Sequence, residues 1–188
     1  MLNLMKFKCL LLSVWIILFS GTVVHNLFAQ SLSLSLGAAA GYTPLLNYGS
    51  TEKSGAELAL LADLEYGRII GRLQFTYVLA GTVNSSSLRS GYAFHGSLGY
   101  NARVSDQIFV PIMLTGGIGI ISYTAYGSSG TQFDAGPQLG LTIAPYYKFT
   151  DQLSAFLSLR YIKGFIADRR SDPIDMADVL IGIRYTLN

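Results

Sequence analysis

The tetrapeptide FHGS, residues 94–97, holds the pair of side chains in this sequence that is best suited to catalysis. His95 and Ser97 stand two positions apart, and residues two apart on a β-strand project from the same face of the sheet. An imidazole in that arrangement could take the proton of the hydroxyl and make it a nucleophile. The alternative is a histidine that only packs in the interior. The fold around the two residues, and the face on which they lie, decide between these alternatives.

Charged residues at alternate positions of the chain form a second set of candidates. Acids and bases are equal in number: Glu57, Asp63, Glu65, Asp134 and Asp178 against Arg72, Arg103, Lys148, Arg160 and Arg184. Rings of charged side chains tune ion selectivity in wide pores. The alternative is a structural network of salt bridges that fills a narrow interior. The choice depends on the width of the fold.

The composition is unusual for a soluble domain. Hydrophobic residues make up 51% of the 188 residues and charged residues only 13%, whereas soluble domains have about 25% charged residues. The formal net charge of +2 includes Lys6 and Lys8 of the N-terminal segment; without these two, the thirteen bases become eleven and equal the eleven acids. This balance argues against a nucleic-acid partner.

The N-terminal segment has the layout of a secretory signal peptide. Lys6 and Lys8 precede an apolar run from Cys9 to about Phe19, and the small residue Ala29 follows before Gln30. The apolar run is shorter than the roughly 20 residues of a membrane-spanning helix. We therefore predict a signal peptide at residues 1–29 and one domain at residues 30–188. Cleavage would remove the single cysteine, so the mature chain would have no disulfide, thiol nucleophile or sulfur metal site.

Alternation of apolar and small or polar residues continues through the rest of the chain, beginning with SLSLSLGAAAGY at residues 31–42. A period of two predicts extended strands with one apolar face, whereas a helix buries residues three or four apart. We predict eight strands, at residues 31–42, 57–66, 71–82, 92–104, 108–123, 133–149, 153–163 and 178–187.

The connections between these strands alternate between long and short. Long polar connections are predicted at residues 43–56, 83–91, 124–132 and 166–177, and short turns at residues 67–70, 105–107 and 150–152. Tight turns at one end of the strands and loose ones at the other are typical of an up-and-down antiparallel meander.

Centring the short turns predicts the strand register. Apolar residues then face apolar residues in all three hairpins, whereas a slip of one residue would exchange the two faces. In the first hairpin Glu65 faces Arg72, and we expect these two side chains to be in contact. The apolar pairs predicted are Leu64 with Leu73, Leu60 with Tyr77, Tyr100 with Ile112, Leu98 with Leu114, Phe94 with Ile118, Tyr147 with Ala155, Ile143 with Leu159 and Leu141 with Tyr161.

The polar face of the strands carries too few charges for a solvent-exposed surface. It is rich in small residues, and its acids and bases balance, as the interior of a narrow barrel requires. The apolar face would then meet lipid, where a charge at mid-depth costs about 2–4 kcal/mol. Tyrosines stand near the strand ends, as the aromatic girdles of a membrane barrel require: Tyr42, Tyr66, Tyr92, Tyr100, Tyr147 and Tyr161. A soluble lipocalin-like barrel is the alternative.

Two segments carry a family resemblance. FVPIMLTGGIGI, residues 109–120, places a proline before a glycine-rich strand, and GPQLGLTIAPYYKFTDQLSAFLSLRY, residues 136–161, forms a hairpin that turns at Thr-Asp. Both resemble the corresponding segments of the small eight-stranded outer-membrane barrels of the OmpA/OmpX type. The resemblance implies a location in the bacterial outer membrane and insertion by the barrel-assembly machinery. The final residues RYTLN depart from the aromatic last residue usual in that family.

His95 and Ser97 also resemble the His-x-Ser of outer-membrane lipid A deacylases, which stands on a barrel strand with a Glu nearby. The resemblance stops at these two residues, because no Glu follows Glu65 and Leu98 stands where that family has Asn. Our predicted register turns His95 and Ser97 toward the lumen and away from lipid. We therefore interpret His95 as a packing residue.

The sequence predicts an all-β fold, an eight-stranded antiparallel up-and-down transmembrane β-barrel. Eight strands leave an interior just wide enough for side chains, so we interpret the ten charged residues as a structural lumen network. We expect a monomeric, non-enzymatic protein without cofactor or metal, in contact with outer-membrane lipid. Its role would be to stabilise the envelope or to present extracellular loops to a partner. A narrow pore for small solutes is the alternative, and a deacylase using His95 and Ser97 ranks last.

Overall fold

The alternating sequence forms long β-strands throughout the part of the chain that the computed structural model describes: residues 32–48, 51–80, 88–124, 130–165 and 172–187. The predicted signal peptide lies outside these residues. None of the described residues belongs to a helix that could cross a membrane. The strands are β1 (Leu32–Tyr48), β2 (Thr51–Tyr66), β3 (Ile69–Ala80), β4 (Leu88–Arg103), β5 (Ile108–Thr124), β6 (Thr131–Ile143), β7 (Tyr146–Lys148), β8 (Leu153–Gly164) and β9 (Ile174–Leu187).

These nine segments make eight barrel strands. β6 and β7 both pair with β5 and β8, so they continue one another in the wall. The predicted sixth strand, residues 133–149, is thus interrupted at Ala144 and Pro145. Pro145 has no backbone N–H to donate to a neighbouring strand, which explains the interruption.

The sheet closes on itself. Neighbours in the chain pair antiparallel, β1 pairs with β9, and the pairing of β4 with β5 completes the ring. Closure removes the free sheet edges, so the strands satisfy their backbone hydrogen bonds within the wall, which is the condition for a sheet to span lipid. The predicted fold class, a closed eight-stranded antiparallel barrel, is confirmed.

The first long connection predicted from the sequence is wrong. Residues 43–56 are mostly strand: β1 and β2 stay paired as far as Tyr48 and Thr51, with one register shift between Thr43 and Leu46. Leu46 is buried in an apolar cluster with residues of β3, β4, β5 and β9, and that burial stabilises the extended end of β1.

The predicted register of the hairpins is confirmed in two cases and wrong in the first. Tyr100 faces Ile112 and Leu141 faces Tyr161, as predicted. In the first hairpin Tyr66 faces Ile69, because Gly67 has a φ of 61° and allows a turn of only two residues. The left-handed conformation suits glycine, which has no Cβ. The pairing is therefore shifted by two residues from the predicted one, which leaves each side chain on its predicted face.

The outer surface of the barrel is an apolar band between two levels of tyrosine. On β3, Ile69 lies opposite Tyr66 and Tyr100, and eight residues further on Tyr77 lies opposite Tyr92. Eight residues of strand span about 26 Å, which is about 20 Å of height at a strand tilt of about 40° and lies within the apolar band of a membrane barrel, about 25 Å tall. Leu73 stands midway between the two levels and is 56% exposed. The predicted orientation, with aliphatic side chains outward, is what the structure has.

Candidate functional site

The lumen holds two separate clusters of charged side chains. Six of the ten residues predicted for a lumen network are almost fully buried there: Glu57, Asp63, Arg72, Arg160, Asp178 and Arg184. Glu65 is partly buried and also points inward. Because the inward positions of each strand alternate with lipid-facing ones, residues from distant strands meet in the lumen.

The lower cluster, defined as Asp63, Glu65, Arg72 and Arg184, lies toward the end with the short turns. Arg72 donates from Nε and Nη2 to the two oxygens of Asp63, at 2.6 and 2.8 Å. Arg184 Nη1 donates to Asp63 Oδ2 at 3.0 Å and to Glu65 Oε1 at 2.7 Å. The Arg184 guanidinium also lies 3.7 Å from the ring centre of Tyr146. Two carboxylates and two guanidinium groups leave this cluster without net charge.

The central cluster, defined as Glu57, His95, Arg160 and Asp178, surrounds one guanidinium group. Arg160 donates from Nε to Asp178 Oδ2 at 2.7 Å, from Nη2 to Glu57 Oε1 at 3.0 Å and from Nη1 to His95 Nδ1 at 3.0 Å. Thr43 donates its hydroxyl to Glu57 Oε2 at 2.5 Å. One arginine on β8 thus joins β2, β4 and β9 across the interior.

The hydrogen bonds of His95 fix its tautomer. A guanidinium group can only donate, so Nδ1 of His95 accepts from Arg160 and Nε2 carries the ring proton. Nε2 then donates to Gln138 Oε1 at 2.9 Å. Gln138 in turn donates to the carbonyl oxygen of Ile174 at 2.7 Å. Both ring nitrogens are engaged, and neither is free to act as a general base.

Ser97 is not bonded to His95. Its hydroxyl is hydrogen-bonded to that of Thr115, at 2.8 Å, and Thr115 is in turn bonded to Thr142 at 2.7 Å. The catalytic arrangement considered for His95 and Ser97 is therefore absent among the described residues. His95 is completely buried in the lumen, away from the lipid that a deacylase would have to reach.

Apolar layers separate and cover the two clusters. Inward positions along β9 read Met176, Asp178, Leu180, Gly182 and Arg184, so that apolar positions separate the two charged ones. Met176 belongs to an upper apolar cluster and Leu180 to one between the two charged levels. The lumen is thus packed as alternating apolar and ionic layers, which the sequence analysis did not predict.

Three of the predicted network residues lie elsewhere, and one predicted contact is wrong. Arg103 pairs with Asp106 in an exposed turn, and Lys148 lies 4.7 Å from the ring centre of Phe109. Asp134 accepts a hydrogen bond from the hydroxyl of Tyr48 at 2.5 Å, away from both clusters. These residues stand at strand ends, where the barrel wall meets solvent.

The predicted contact of Glu65 with Arg72 does not form. Arg72 binds Asp63 and Glu65 binds Arg184, because the first hairpin is shifted by two residues.

The uncharged partners of the central cluster were missed at the sequence level. Thr43 stands in a segment predicted to be a loop, and Gln138 and Thr76 are polar residues at inward positions. From the sequence, these residues could be recognised only as polar residues at inward positions. Their partners lie on distant strands: Thr76, for example, accepts a hydrogen bond from Arg160 Nη2 at 3.1 Å. No group of three or more His, Cys, Asp or Glu side chains in the described ranges could hold a metal ion.

Known structures of similar fold are small outer-membrane barrels. Neisserial surface protein A has a TM-score of 0.68 and 13% identity, over 82% of this chain and 98% of that one. A major outer membrane protein of Thermus thermophilus has a TM-score of 0.58 and 15% identity, over 84% and 100%. Ail, the attachment invasion locus protein of Yersinia pestis, has a TM-score of 0.56 and 14% identity, over 83% and 97%.

Ail has also been solved in complex with the heparin analogue sucrose octasulfate. No protein-family model and no curated protein sequence matches this chain. At these identities the comparison establishes the fold. The resemblance to small eight-stranded outer-membrane barrels is confirmed at that level, and the predicted outer-membrane location is that of these neighbours.

Proposed function

We propose that this chain is a non-enzymatic, monomeric outer-membrane barrel with a sealed lumen, which stabilises the envelope or presents its longer connections at the cell surface. The observation that carries the proposal is the filled interior, in which Arg160 on β8 reaches Glu57 on β2 and His95 on β4, and Arg184 on β9 reaches Asp63 on β2. A lumen crossed by buried ion pairs and packed with apolar layers, as the described residues have it, supports an interior without a continuous aqueous path.

The longer connections support a role at the surface. Three of them lie at one end of the barrel, joining β3 to β4, β5 to β6 and β8 to β9. At the same end β1 and β2 extend as a long hairpin whose connection is only residues 49–50, and the other end has only short turns. Loops on a rigid scaffold are the usual carriers of binding. Ail, a neighbour of similar fold, is named for attachment and has been solved with a heparin analogue, which is consistent with a surface-interaction role for this barrel.

Export and insertion complete the proposal. The segment 1–29 would direct the chain across the inner membrane and be removed, and the barrel-assembly machinery would insert residues 30–188 into the outer membrane. The short turns would then face the periplasm and the longer connections the exterior. Outer-membrane lipid would be the constant partner of the apolar band.

Planar-bilayer recording tests the sealed lumen. The purified barrel, added at concentrations at which a wide porin gives steady conductance, should produce no long-lived openings. The wide porin, inserted in the same bilayer, controls for recording and insertion. Steady unit openings from the wild-type barrel would contradict the sealed lumen and favour the narrow pore.

A further inference from the structure

The central cluster contains one more carboxylate than guanidinium group. Glu57 and Asp178 both bind Arg160, and His95 contributes no positive charge because its Nδ1 accepts from that same arginine. With both carboxyl groups ionised, the cluster would carry a net charge of −1. The lower cluster, with two acids and two arginines, has no such excess.

In the described part of the chain, no further cation is bonded to the central cluster. The side chains that contact the central cluster from the other strands are the neutral Thr43 of β1, Thr76 of β3 and Gln138 of β6. Apolar clusters lie above and below it. An uncompensated charge in so apolar a place is costly, and such groups become neutral instead.

The hydrogen bonds distinguish the two carboxyl groups. Both oxygens of Glu57 accept, one from Arg160 and the other from Thr43, as an ionised carboxylate requires. Asp178 accepts only through Oδ2, and its Oδ1 is buried with no partner among the described residues. An ionised Asp178 would therefore bury a charged oxygen without any donor.

A second buried atom lacks a partner close by. Ser158 precedes Arg160 on the inward face of β8, and Arg160 lies directly opposite Asp178 on β9. The Ser158 side chain is 1% exposed, and its Oγ has no partner among the described residues. Diagonal neighbours across a strand pair are close enough for side chains to interact, directly or through water. Ser158 Oγ could accept from a protonated Asp178 Oδ1 or donate to an ionised one, so the excess negative charge of the cluster, and not this hydroxyl, assigns the proton.

We propose that the central cluster binds one proton at neutral pH and that Asp178 Oδ1 carries it. The proton comes from solvent as the barrel folds. The neutral carboxyl group still accepts from Arg160 through Oδ2, while Glu57 remains the counter-ion of the guanidinium group. The cluster is then neutral, like the lower one.

Two matched substitutions test the assignment by stability. Asp178→Asn keeps an acceptor for Arg160 and puts an N–H donor in place of the proposed O–H. We expect it to change the unfolding equilibrium constant in micelles by less than about tenfold. Asp63→Asn removes a charge that two arginines require and should raise that constant by more than about a hundredfold. A cost for Asp178→Asn equal to that for Asp63→Asn would overturn the proposal.

Infrared spectroscopy provides a readout that a purely structural role would not change, and its first measurement is made on the wild-type barrel. Wild-type barrel with ¹³C-labelled aspartate side chains should show the isotope-shifted band of a protonated carboxyl group at neutral pH. Asp178→Asn should abolish this band. Glu57→Gln should abolish it as well, because Asp178 must then ionise to balance Arg160. A wild-type spectrum without the band would refute the assignment.

A bound monovalent cation is the competing way to neutralise the cluster. It predicts no protonated aspartate band, and a stability that rises when sodium replaces a large organic cation at constant ionic strength. That pair of results would overturn the proposed protonation of Asp178 but would not contradict the sealed lumen. Steady conductance, in contrast, would contradict the sealed lumen without deciding whether Asp178 is protonated.

Discussion

The two faces of a single strand show how differently this barrel treats lipid and its own interior. On β2, Leu58, Leu60 and Leu64 point outward and are about half exposed, while the intervening inward positions include Glu57 and Asp63, which are almost fully buried. A soluble protein would have the opposite arrangement. The outer face requires only that side chains be apolar, because lipid accepts any of them. The inner face requires particular partners, because each buried charge needs its own counter-ion.

The comparison therefore predicts two kinds of sensitivity. On the lumen side, loss of a charged group that its counter-ion needs should be costly wherever the lumen buries it. On the outer side, cost should follow depth in the membrane and the charge of the new residue, since no specific contact is lost.

The largest effect is expected inside the lumen, for Arg160→Ala. The substitution leaves Glu57 buried without its guanidinium group and removes the bonds that join three strands. Breaking a buried ion pair by removing one partner costs about 3–5 kcal/mol. Urea unfolding in detergent micelles, followed by circular dichroism, would measure the change in unfolding free energy. If the unfolding free energy fell by no more than it does for a surface substitution, the expected difference in sensitivity between the two faces would be wrong.

The next effect is expected on the outer face, for Leu73→Arg. Leu73 lies midway between the tyrosine levels, where a charge costs about 2–4 kcal/mol. Ile69→Arg is the matched control, since Ile69 is on the same strand and the same face, is 55% exposed and lies level with Tyr66 and Tyr100. At that depth the cost should be about 0–1 kcal/mol. Equal costs in lipid vesicles would show that the band is not where the tyrosines indicate.

The smallest effect is expected for an arginine outside both environments, in Arg103→Ala. Arg103 pairs with Asp106, but both side chains are mostly exposed in a turn. Substitutions at such surface positions usually change stability by no more than about 0.5 kcal/mol. Set beside Arg160→Ala under the same conditions, the measurement separates the effect of burial from that of losing an arginine. A large loss for Arg103→Ala would mean that the turn matters to the fold in a way the ion pair does not explain.

Sidedness and strand number could be predicted from the sequence because both depend on local patterns. The alternation of apolar and polar residues shows which face of the sheet each side chain lies on, and the short turns SDQ and TDQ show where the chain reverses direction. Two of the three hairpin registers followed from centring those turns. The first did not, because a shift of two residues keeps apolar opposite apolar. Only the backbone conformation of Gly67 distinguishes the two registers.

The lumen partners were beyond the reach of local patterns. Arg184 on β9 meets Asp63 on β2 with β1 between them, and which inward residues reach the same level depends on the stagger of all the strands. Leu46 and the extended first hairpin were missed for a similar reason, since the cluster that holds Leu46 gathers residues from several strands. The charged residues could be assigned to one face, but their pairing could not be predicted.

The pairing of β1 with β9 has a kinetic consequence. Ser35 and Thr186, which meet across it, are 151 residues apart in the chain. Joining such distant segments gives the barrel a high contact order, and folding slows as contact order rises. The hydrogen bonds between β1 and β9 should be the last to form. Until they form, each of these two strands would expose unpaired backbone amides to hydrocarbon. A catalyst of insertion would act most effectively on that final step.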